Sequence, residues 1–536
     1  MIETAPALLE QHLAERPDRV AFLDGDRRIA YGEFAALCGR TAGWLTDQGI
    51  GPGDRVAVWL VNRIEWLALF FGLARVGAAL VALNTRYRAI ELQTVLDRSG
   101  ARMLVLQHNF RKIDFPAVLK GVDAGAVHAL ERVAVVEPDA DTPSRVLGKP
   151  TIAFRAFERR SDETTDHSHP DAPVALFTTS GTTKGPKLVV HSQRTIAFHS
   201  RRTARAFGFE EAGACLLGAL PLCGVYGFDS TLAAFAAGAP VVLMETFEAG
   251  PAVELVRRHR VTHAFGSDEM YRRMLELAPG HDPFPSVRLF GFAAFNPGAA
   301  DFARAAWDKR VPLVGLYGSS EVQALFSVQS PSAPFPQRIE GGGRPAAGSD
   351  AEIRVRDVDT GDLLPPGRSG EIEIRAPSNF IGYWNNPGAT ADAVGRDGFF
   401  RTGDVGQLRA DGTFLYETRR GDAIRLGGYL VSPAEIEEAL KRIPGVGDVQ
   451  VVAVEIAGQP RAVAFVVPAA GAAPREADVI AAAAAQMAGF KVPARVWFVD
   501  EFPTTDSPNG LKIQRARLRD MALEDLSRAA RDSGAA

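Results

Sequence analysis

The residues with the clearest chemical potential lie in one polar stretch, 179–187, whose sequence is TSGTTKGPK. The apolar runs 174–177 and 188–190 flank it, which predicts a strand, a flexible turn and a second strand. Its glycines let successive backbone N–H groups face one concavity, its hydroxyls add donors, and lysine adds a positive charge. The stretch therefore suits a polyphosphate, although an ordinary solvated hairpin loop would have the same composition.

The commonest nucleotide-binding loop does not match this stretch. A Walker-type loop needs a glycine, four spacer residues and then Gly-Lys-Ser/Thr directly before a helix. In this chain Pro186 stands five residues after Gly181, and Lys187 is followed by Leu188. A kinase or ATPase of that class is therefore excluded, while a different kind of phosphate loop is left open.

Further stretches combine residue types that carry chemistry. Residues 220–229 place an aromatic ring and a carboxylate in an apolar, glycine-rich setting. Residues 315–321 place a ring, two hydroxyls and a carboxylate directly after an apolar strand. Residues 397–404 end on an aspartate in a tight turn, and two arginines and a glycine-rich segment follow. Near the end of the chain, Lys512 comes after a loop rich in proline and polar residues.

The elements that must position these residues follow an α/β rhythm. Residues 55–60 form a continuous apolar run suited to a buried parallel strand, and a helical pattern over 65–76 and a strand over 79–83 come next. This order predicts a layered α/β fold. The polar segment 158–170 predicts a surface linker directly before the polar stretch.

Length and composition limit the classes of protein that fit. A chain of 536 residues is too long for one core and should divide into two or more domains. With 46% hydrophobic residues, 23% charged residues and a net charge of -4, neither nucleic acid nor an anionic membrane is expected as the main partner. The three cysteines, Cys38, Cys215 and Cys223, have no metal-ligand spacing and suit a reducing compartment. No signal peptide or membrane-spanning run is evident, so a cytoplasmic protein is predicted.

Six motifs in the same order resemble the adenylate-forming superfamily of acyl-CoA synthetases, peptide-synthetase adenylation domains and luciferases. They are TSGTTKGPK, YGSSE at 317–321, GYWNNP at 382–387, RTGD at 401–404, the stretch 419–437 and the lysine at 512. The resemblance is collinear over nearly the whole chain. It implies that a carboxylate attacks the α-phosphate of ATP to give an acyl-adenylate and pyrophosphate, after which a thiol, usually CoA, displaces AMP. The implied cofactors and co-substrates are ATP, Mg²⁺ and CoA.

The resemblance also implies an α/β architecture in two parts. Residues 1–420 would form a large N-terminal adenylation domain of layered α/β subdomains with a β-barrel-like subdomain. Residues 421–536 would form a small mobile α+β domain that carries the catalytic lysine. The family pivots at the position of Gly421, where glycine can absorb a large backbone rotation. Rotation would bring a loop for CoA to the site, formed by Gly427, Gly428 and Tyr429.

The nucleotide-binding residues are implied by the same motifs. They are Thr179, Ser180, Gly181, Thr182, Thr183, Lys187, Ala294, Tyr317, Gly318, Asp404 and Arg419. Tyr317 is similar to the family residue that stacks on adenine, Asp404 to the residue that accepts hydrogen bonds from the ribose hydroxyls, and Arg419 to the arginine near the same sugar. Lys184 stands where glycine is more common in the family, and we expect it to point to solvent.

Three residues are implied to act on the reacting groups. Glu321 would be the Mg²⁺ ligand, since a hard oxygen donor suits an ion that also binds phosphates. Ser320 takes the place of the usual threonine and would meet the α-phosphate. Lys512 would be the catalytic lysine, which reaches the reacting oxygens only after the small domain closes.

The acid itself is the least determined partner. By position, the pocket residues would be Tyr226, Gly227, Asp229, Ser267, Ala293, Gly315 and Leu325. Gly224 stands where many family members have a histidine. We expect an acid–CoA ligase for a fatty, alicyclic or aromatic acid. The alternatives are an enzyme that loads an amino acid or acid onto a carrier protein, and a non-catalytic nucleotide-binding relative. Whether the chain forms a homodimer is left open.

Overall fold

The computed structural model describes residues 2–110, 112–162, 165–179, 186–293, 299–420, 424–426, 429–431, 433–456, 459–487, 489, 491–507 and 510–533. By internal packing the chain divides into two compact units. The first unit comprises Met1–Ala293, Ala305–Glu352 and Ile374–Phe400, and the second comprises Ala294–Arg304, Ile353–Glu373 and Arg401–Ala536.

Helices and strands alternate through the first part of the chain, as the sequence predicts. They are α1 Ala5–Glu15, β1 Val20–Asp24, β2 Arg27–Ala30, α2 Tyr31–Asp47, β3 Arg55–Trp59, α3 Ile64–Arg75, β4 Ala79–Ala82, α4 Ala89–Ser99, β5 Met103–Gln107, α5 Phe115–Lys120, β6 Arg132–Val136, β7 Arg145–Val146, β8 Lys149–Ala153, β9 Pro173–Thr178 and β10 Leu188–Ser192.

The remaining elements follow in chain order. They are α6 Gln193–Ala206, β11 Leu216–Gly218, α7 Val225–Ala237, β12 Val241–Leu243, α8 Ala249–Arg258, β13 His263–Ser267, α9 Asp268–Leu277, β14 Leu289–Ala293, α10 Ala299–Asp308, β15 Leu313–Ser319, β16 Gln323–Val328, β17 Gly342–Pro345, β18 Glu352–Arg356, β19 Gly370–Arg375, β20 Gly382–Tyr383, α11 Pro387–Ala393, β21 Phe400–Leu408, β22 Phe414–Arg419, β23 Ile424–Leu426, β24 Tyr429–Val431, α12 Pro433–Lys441, β25 Val446–Ile456, β26 Gln459–Pro468, α13 Glu476–Ala484, β27 Val496–Phe498, β28 Thr504–Ser507, β29 Gly510–Ile513 and α14 Arg515–Ser533.

Two mixed sheets form the first unit. One has the strand order β20-β10-β9-β4-β3-β5-β6-β8-β7, and it is parallel from β9 to β8 with antiparallel strands at both edges. The other contains the order β17-β16-β15-β14-β13-β11-β12-β1-β2, with a parallel centre and antiparallel edges. Because parallel strands need crossover connections, helices cover both faces, and the central strands β3, β4 and β5 are mostly apolar.

Helix α3 lies in the core that the two sheets share. Its Phe70 belongs to one hydrophobic cluster with Val58 of the first sheet and Leu216 of the second. A Cβ at Gly72 would lie 3.0 Å from Thr41 of α2, so the missing side chain permits close packing of these two helices. The opposite face of β3 packs elsewhere, since Trp59 clusters with Phe115 of α5.

The C-terminal part of the second unit is a small α+β domain. Strands β25, β26 and β27 form its sheet, and the side chains of β25 alternate between two hydrophobic clusters. Val451 joins a cluster with Ile436 of α12, while Val452 joins a cluster with Leu518 of α14. The predicted fold class, a large α/β domain of mixed sheets with a small α+β C-terminal domain, is confirmed. The pivot at Gly421, a boundary between residues 420 and 421 and the mobility of the small domain stay predictions.

Two expectations about the environment of the chain can be compared with the structure. The three cysteines are all buried free thiols. In the part of the chain that the structure describes, no helix has the length and apolar character needed to cross a bilayer. The cytoplasmic location stays a prediction.

Candidate active site

The hairpin that carries the polar stretch is closed at its neck. Strands β9 and β10 pair antiparallel with Thr178 opposite Leu188, and the Thr179 N–H donates to the Lys187 carbonyl at 3.1 Å. The two predicted strands that flank the polar stretch are therefore confirmed. The turn residues Ser180, Gly181, Thr182, Thr183 and Lys184 lie outside the described residues, so their roles stay predictions.

One phenol ring joins two of the predicted site residues. The Nζ of Lys187 lies 4.6 Å from the ring centroid of Tyr383, a cation–π contact. The hydroxyl of the same tyrosine donates to Oε1 of Glu321 at 3.0 Å. The predicted phosphate-binding lysine and the predicted Mg²⁺ ligand are therefore brought together through Tyr383.

Backbone contacts place Tyr383 beside the hairpin. It stands opposite Val189 in the pairing of β20 with β10, and its N–H donates to Oγ1 of Thr390 at 2.9 Å. The preceding Gly382 has a φ of 144°, in the region that favours glycine. The GYWNNP motif is evident in the sequence, but the motif alone assigns Tyr383 no role. An aromatic residue directly after a motif glycine was the available signal.

The segment 317–325, which we call the β15–β16 turn, carries the predicted adenine, hydroxyl and metal residues. Tyr317 is buried near the end of β15, and its adenine-stacking role stays a prediction. At Gly318, a Cβ would lie 2.6 Å from the Cα of Ala324, so only glycine lets the two strands approach this closely. The Glu321 carbonyl accepts from the Phe380 N–H at 2.7 Å, which anchors the turn beside the GYWNNP segment.

A buried imidazole holds the backbone of Ser320. Nε2 of His191 lies 2.8 Å from the Ser320 carbonyl oxygen, and burial lowers the pKa of His191 to about 4. Because a carbonyl can only accept, Nε2 carries the proton in the neutral ring. The Ser320 peptide is therefore fixed, while contact of its hydroxyl with the α-phosphate stays a prediction.

Two more buried side chains hold the peptide groups of Ala324. Its N–H donates to Oδ2 of Asp229 at 2.7 Å, and its carbonyl accepts from Nε2 of His199 at 2.6 Å. Burial lowers the pKa of His199 to about 4, so this ring is also a neutral donor. Burial raises the pKa of Asp229 well above its usual range, although the Ala324 N–H opposes that effect.

The residues on either side of Ala324 have unusual backbone conformations. Gln323 has a φ of 69° and Leu325 a φ of 58°, in the left-handed region that residues with side chains rarely adopt. Each such residue costs on the order of 1–3 kcal/mol, which the surrounding contacts must offset. The Gln323 amide donates to the carbonyls of Thr195 and Ser378 at 3.0 Å each. The β15–β16 turn is therefore held by side chains of β10, α6 and α7 and by its own amide.

A sequence signal for these contacts existed but was missed. Histidine and threonine occur at every fourth position from 191 to 203: His191, Thr195, His199 and Thr203. This spacing places the last three on one face of α6, and His191 lies just before the helix begins. All four are buried. A polar stripe on a buried helix face needs hydrogen-bond partners, and the β15–β16 turn supplies several of them.

The predicted acid-pocket residues lie on five elements of the first unit. Tyr226, Gly227 and Asp229 are on α7, Ser267 and Ala293 end β13 and β14, Gly315 is in β15, and Leu325 is in β16. The carboxyl ends of parallel strands are the usual binding edge of such sheets. Their role in binding the acid stays a prediction.

Several of these residues make contacts within the protein. The Tyr226 hydroxyl donates to the Gly291 carbonyl at 3.2 Å, and Oγ of Ser267 accepts from the Met270 N–H at 3.3 Å. A Cβ at Gly227 would lie 2.3 Å from a carbonyl oxygen of Pro221, and one at Gly315 would lie 2.0 Å from the carbonyl oxygen of Glu340. These two glycines therefore adjoin backbone. Leu325 is fully buried in the main hydrophobic core, and Ala293 is a partly buried residue packed against that core.

The predicted ribose-binding pair lies on two adjacent strands of the second unit. Asp404 of β21 stands opposite Arg419 of β22, and Nη1 of Arg419 donates to Oδ1 of Asp404 at 2.6 Å. The same Nη1 donates to the Thr402 carbonyl at 2.8 Å. Asp404 is buried, whereas the Arg419 side chain is 53% exposed. The two residues form one ion pair, and their contact with ribose stays a prediction.

The predicted residues of the small domain are described only in part. Lys512 lies in the β28–β29 hairpin with its backbone opposite Thr505, and Tyr429 lies opposite Leu426. Four predicted site residues lie outside the described residues: the hinge residue Gly421, the CoA-loop residues Gly427 and Gly428, and the nucleotide-binding residue Ala294. The catalytic, CoA-binding and hinge roles of all these residues stay predictions.

A buried ion pair anchors the chain just after Lys512. Nη2 of Arg515 donates to both carboxylate oxygens of Glu437, at 2.7 and 2.9 Å, and the Val451 N–H also donates to this carboxylate. Glu437 is fully buried, so losing Arg515 would leave its carboxylate without a cation. The sequence analysis did not assign a role to Arg515 or Glu437.

The donor set suits a Mg²⁺ ion that is shared with a polyphosphate. Among the described residues there is no cluster of three or more His, Cys, Asp or Glu side chains that could hold a metal alone. Glu321 accepts from Tyr383 through Oε1, which leaves Oε2 for a cation. Mg²⁺ in phosphate-transfer sites commonly takes one or two carboxylates and completes its shell with phosphates and water. Glu321 therefore fits the metal.

Comparison with known proteins identifies the class. The family model of the AMP-binding enzymes matches residues 9–384, and the model of the AMP-binding enzyme C-terminal domain matches residues 435–508. The chain belongs to the AMP-binding enzymes, that is, to the acyl-CoA ligase branch of the adenylate-forming superfamily. It is an enzyme of the AMP-forming acid–CoA ligase family.

Individual relatives are similar over nearly the whole chain. A fatty acid–acyl-carrier-protein ligase, ScoC, of Streptomyces coeruleorubidus is 32% identical, with 96% of each chain covered. A 3-hydroxybenzoate–CoA ligase of Aromatoleum sp. is 31% identical, covering 96% of this chain and 95% of the relative. The ATP-bound crystal structure of MatB from Rhodopseudomonas palustris is 26% identical and superposes with a TM-score of 0.82, covering 97% of this chain and 99% of MatB.

Replacing Tyr383 tests its link to Glu321. Tyr383→Phe keeps the ring beside Lys187 but removes the hydroxyl that positions the carboxylate. We expect a loss of ATP–pyrophosphate exchange of roughly ten- to a hundredfold, because a hydrogen bond to a charged group contributes roughly 1.5–3 kcal/mol. The magnesium concentration for half-maximal exchange should rise as well. Tyr383→Leu, which also removes the cation–π contact, should lose more. If Tyr383→Phe matches the wild type in both measurements, the hydroxyl has no positioning role.

The buried Asp229 carboxyl predicts a pH dependence of stability. Its folded-state pKa is raised above the ordinary 3.8, so the folded chain binds more protons than the unfolded chain above that pH and stability falls as pH rises. Asp229→Asn cannot ionise but keeps an oxygen acceptor for Ala324. We expect the free energy of unfolding in urea of this variant to rise relative to the wild type as the pH increases above about 4, by up to about 1.4 kcal/mol per pH unit.

A difference between Asp229→Asn and the wild type that does not change with pH would show that Asp229 is ionised in the folded chain. Asp229→Leu is the matched control. It leaves the buried Ala324 N–H without an acceptor, so it should be less stable than Asp229→Asn by roughly 1–3 kcal/mol at every pH.

Proposed function

We propose that this enzyme joins a largely apolar carboxylic acid to CoA in two steps. In the first, a carboxylate oxygen of the acid attacks the α-phosphorus of ATP, the bond to the β-phosphate oxygen breaks, and pyrophosphate leaves. In the second, the CoA thiolate attacks the acyl carbon and AMP leaves with the bonding electrons. The observation that carries this proposal is the Lys187–Tyr383–Glu321 chain of contacts beside the hairpin neck.

The first step brings two anions together and moves negative charge onto pyrophosphate. Its rate therefore depends on cations and on held geometry more than on acid–base chemistry. Lys187 supplies a positive charge at the hairpin, and Ser320 offers a hydroxyl on a peptide fixed by His191. A bound Mg²⁺ would supply charge neutralisation of the phosphates through Glu321. Lys512 would add a second cation when the small domain closes.

Hydrophobic residues of the first unit favour an apolar acid as the substrate. Val225, Tyr226, Met270 and Ala293 are partly buried hydrophobic residues packed on the main core, on α7, α9 and the end of β14. When an apolar substrate packs against such residues, each Å² of apolar surface that is removed from water contributes about 25 cal/mol to the free energy of binding. A fatty, alicyclic or aromatic acid satisfies this chemistry. The named substrates of the relatives, a fatty acid and 3-hydroxybenzoate, fall within these classes.

A second candidate function is the transfer of the acyl group to a carrier protein. Its support is the similarity to ScoC, whose name gives a carrier protein as the acceptor. Both functions share the adenylation step and differ only in the thiol that takes the acyl group.

Pyrophosphate exchange with a panel of acids tests the proposal. Medium-chain and long-chain fatty acids, alicyclic acids and benzoates would be compared with amino acids and short dicarboxylic acids. We expect at least one apolar acid to support exchange over tenfold faster than any amino acid. CoA and a phosphopantetheinyl carrier protein would then be supplied to the preformed acyl-adenylate. Discharge by CoA supports the proposal. Discharge by the carrier protein alone would establish the second candidate, and exchange only with amino acids would contradict both substrate assignments.

A further inference from the structure

A cavity in the first unit lies away from the predicted adenylation residues. Its volume is about 780 Å³. The cavity lies where the central parallel strands begin, because four of its lining residues directly precede β11, β12, β13 and β14: Cys215, Pro240, Thr262 and Arg288. The predicted acid-pocket residues Ser267 and Ala293 stand at the other ends of β13 and β14. A five-residue strand spans roughly 16 Å, so this cavity is on the opposite edge of the sheet.

The cavity is lined by an unusual concentration of positive charge. Five arginines surround it, Arg19, Arg28, Arg258, Arg260 and Arg288, together with His259. Among these arginines, Arg288 has a carboxylate partner. Its Nη1 donates to Oε2 of Glu211 at 3.2 Å, and its Nη2 donates to the Ala212 carbonyl at 2.7 Å. In the part of the chain that the structure describes, the guanidinium groups of the other four make no hydrogen bond or ion pair.

The helix dipole accounts for only part of this cluster. Arg258 ends α8 and His259 caps it, and cations are favourable at a helix C-terminus. Arg19, Arg28 and Arg288, however, come from β1, β2 and β14 or the residues just before them, where no helix ends. Four separate segments thus converge with the same charge. The pKa of His259 is lowered by burial and by the neighbouring Arg258 and Arg28, which agrees with a positive potential there.

Unpaired arginines around one concavity suit an anion with several oxygens. The planar guanidinium fork matches phosphate oxygens in bidentate pairs, and it sheds its water more readily than an ammonium group does. Two phosphoryl groups, each with up to about two negative charges, would balance four guanidinium groups. The volume of about 780 Å³ is within the range typical of small-molecule sites.

We propose that this cavity binds the diphosphate group of a small molecule, at a site separate from adenylation. Free pyrophosphate, ADP and CoA all carry that group. The inference does not depend on which acid the enzyme activates.

The test compares wild-type enzyme with the double variant R258Q/R260Q by isothermal titration calorimetry. The ligands are three that carry a diphosphate group, pyrophosphate, ADP and CoA, with inorganic phosphate as the reference anion. The control is R201Q/R396Q, which removes two exposed arginines that do not line the cavity. We expect the wild type and the control to share a binding component that is at least tenfold weaker in R258Q/R260Q. The melting temperature of R258Q/R260Q should stay within a few degrees of the wild type, and its rate of ATP–pyrophosphate exchange should stay within twofold. The reason is that these arginines are outside the adenylation residues.

The three ligands distinguish the source of the diphosphate. Equal loss of affinity for all three would show that the diphosphate alone is recognised, and loss for CoA or ADP only would show that the attached group also contributes. Titrations of R258Q/R260Q that superimpose on the wild type for every ligand would overturn the proposal. Inorganic phosphate that binds as tightly as pyrophosphate would overturn the diphosphate assignment. Since exchange activity is measured separately, neither result bears on the adenylation function.

Discussion

The structure around the predicted reaction centre depends on how the peptide groups of the β15–β16 turn are satisfied. Buried N–H and C=O groups need partners, and the strand register shifts within this turn, between Tyr317 and Ser319. His191, His199 and Asp229 supply those partners from β10, α6 and α7. The bonds offset the left-handed conformations on either side of Ala324. They also explain why polar side chains occupy otherwise apolar helix faces.

Strand pairing and side-chain contacts also bring together motifs that are far apart in the sequence. Strand β20 pairs with β10 at the edge of the first sheet, so the GYWNNP segment lies beside the hairpin that carries Lys187. Tyr383 then contacts Lys187 with its ring and Glu321 with its hydroxyl. Glu321 is thus held from two sides, by its own backbone through Phe380 and by its side chain through Tyr383. The predicted phosphate-binding lysine and the predicted metal ligand therefore contact the same side chain, Tyr383.

The sequence predicted what local pattern can determine. The apolar runs at β3 and β4 and the helix α3 are found within one or two residues of their predicted bounds, because period and apolarity are local properties. Six ordered motifs were enough to identify the family. The Asp229–Ala324 bond was not predictable, since its partners are 95 positions apart and nothing in the local sequence marks Gln323 or Leu325 as left-handed. Tyr383 was missed because a motif shows which residues recur together and not which atoms touch.

The central claim is that buried donors to the β15–β16 turn position Glu321 for adenylation. ATP–pyrophosphate exchange of His199→Leu and His199→Gln tests it most directly, because glutamine can still donate to the Ala324 carbonyl and leucine cannot. We expect His199→Leu to lose at least tenfold in rate at saturating ATP, with ATP affinity nearly unchanged and a higher magnesium requirement. His199→Gln should recover most of that rate. If His199→Leu exchanges at the wild-type rate with the wild-type magnesium dependence, the turn does not need this donor and the account is wrong.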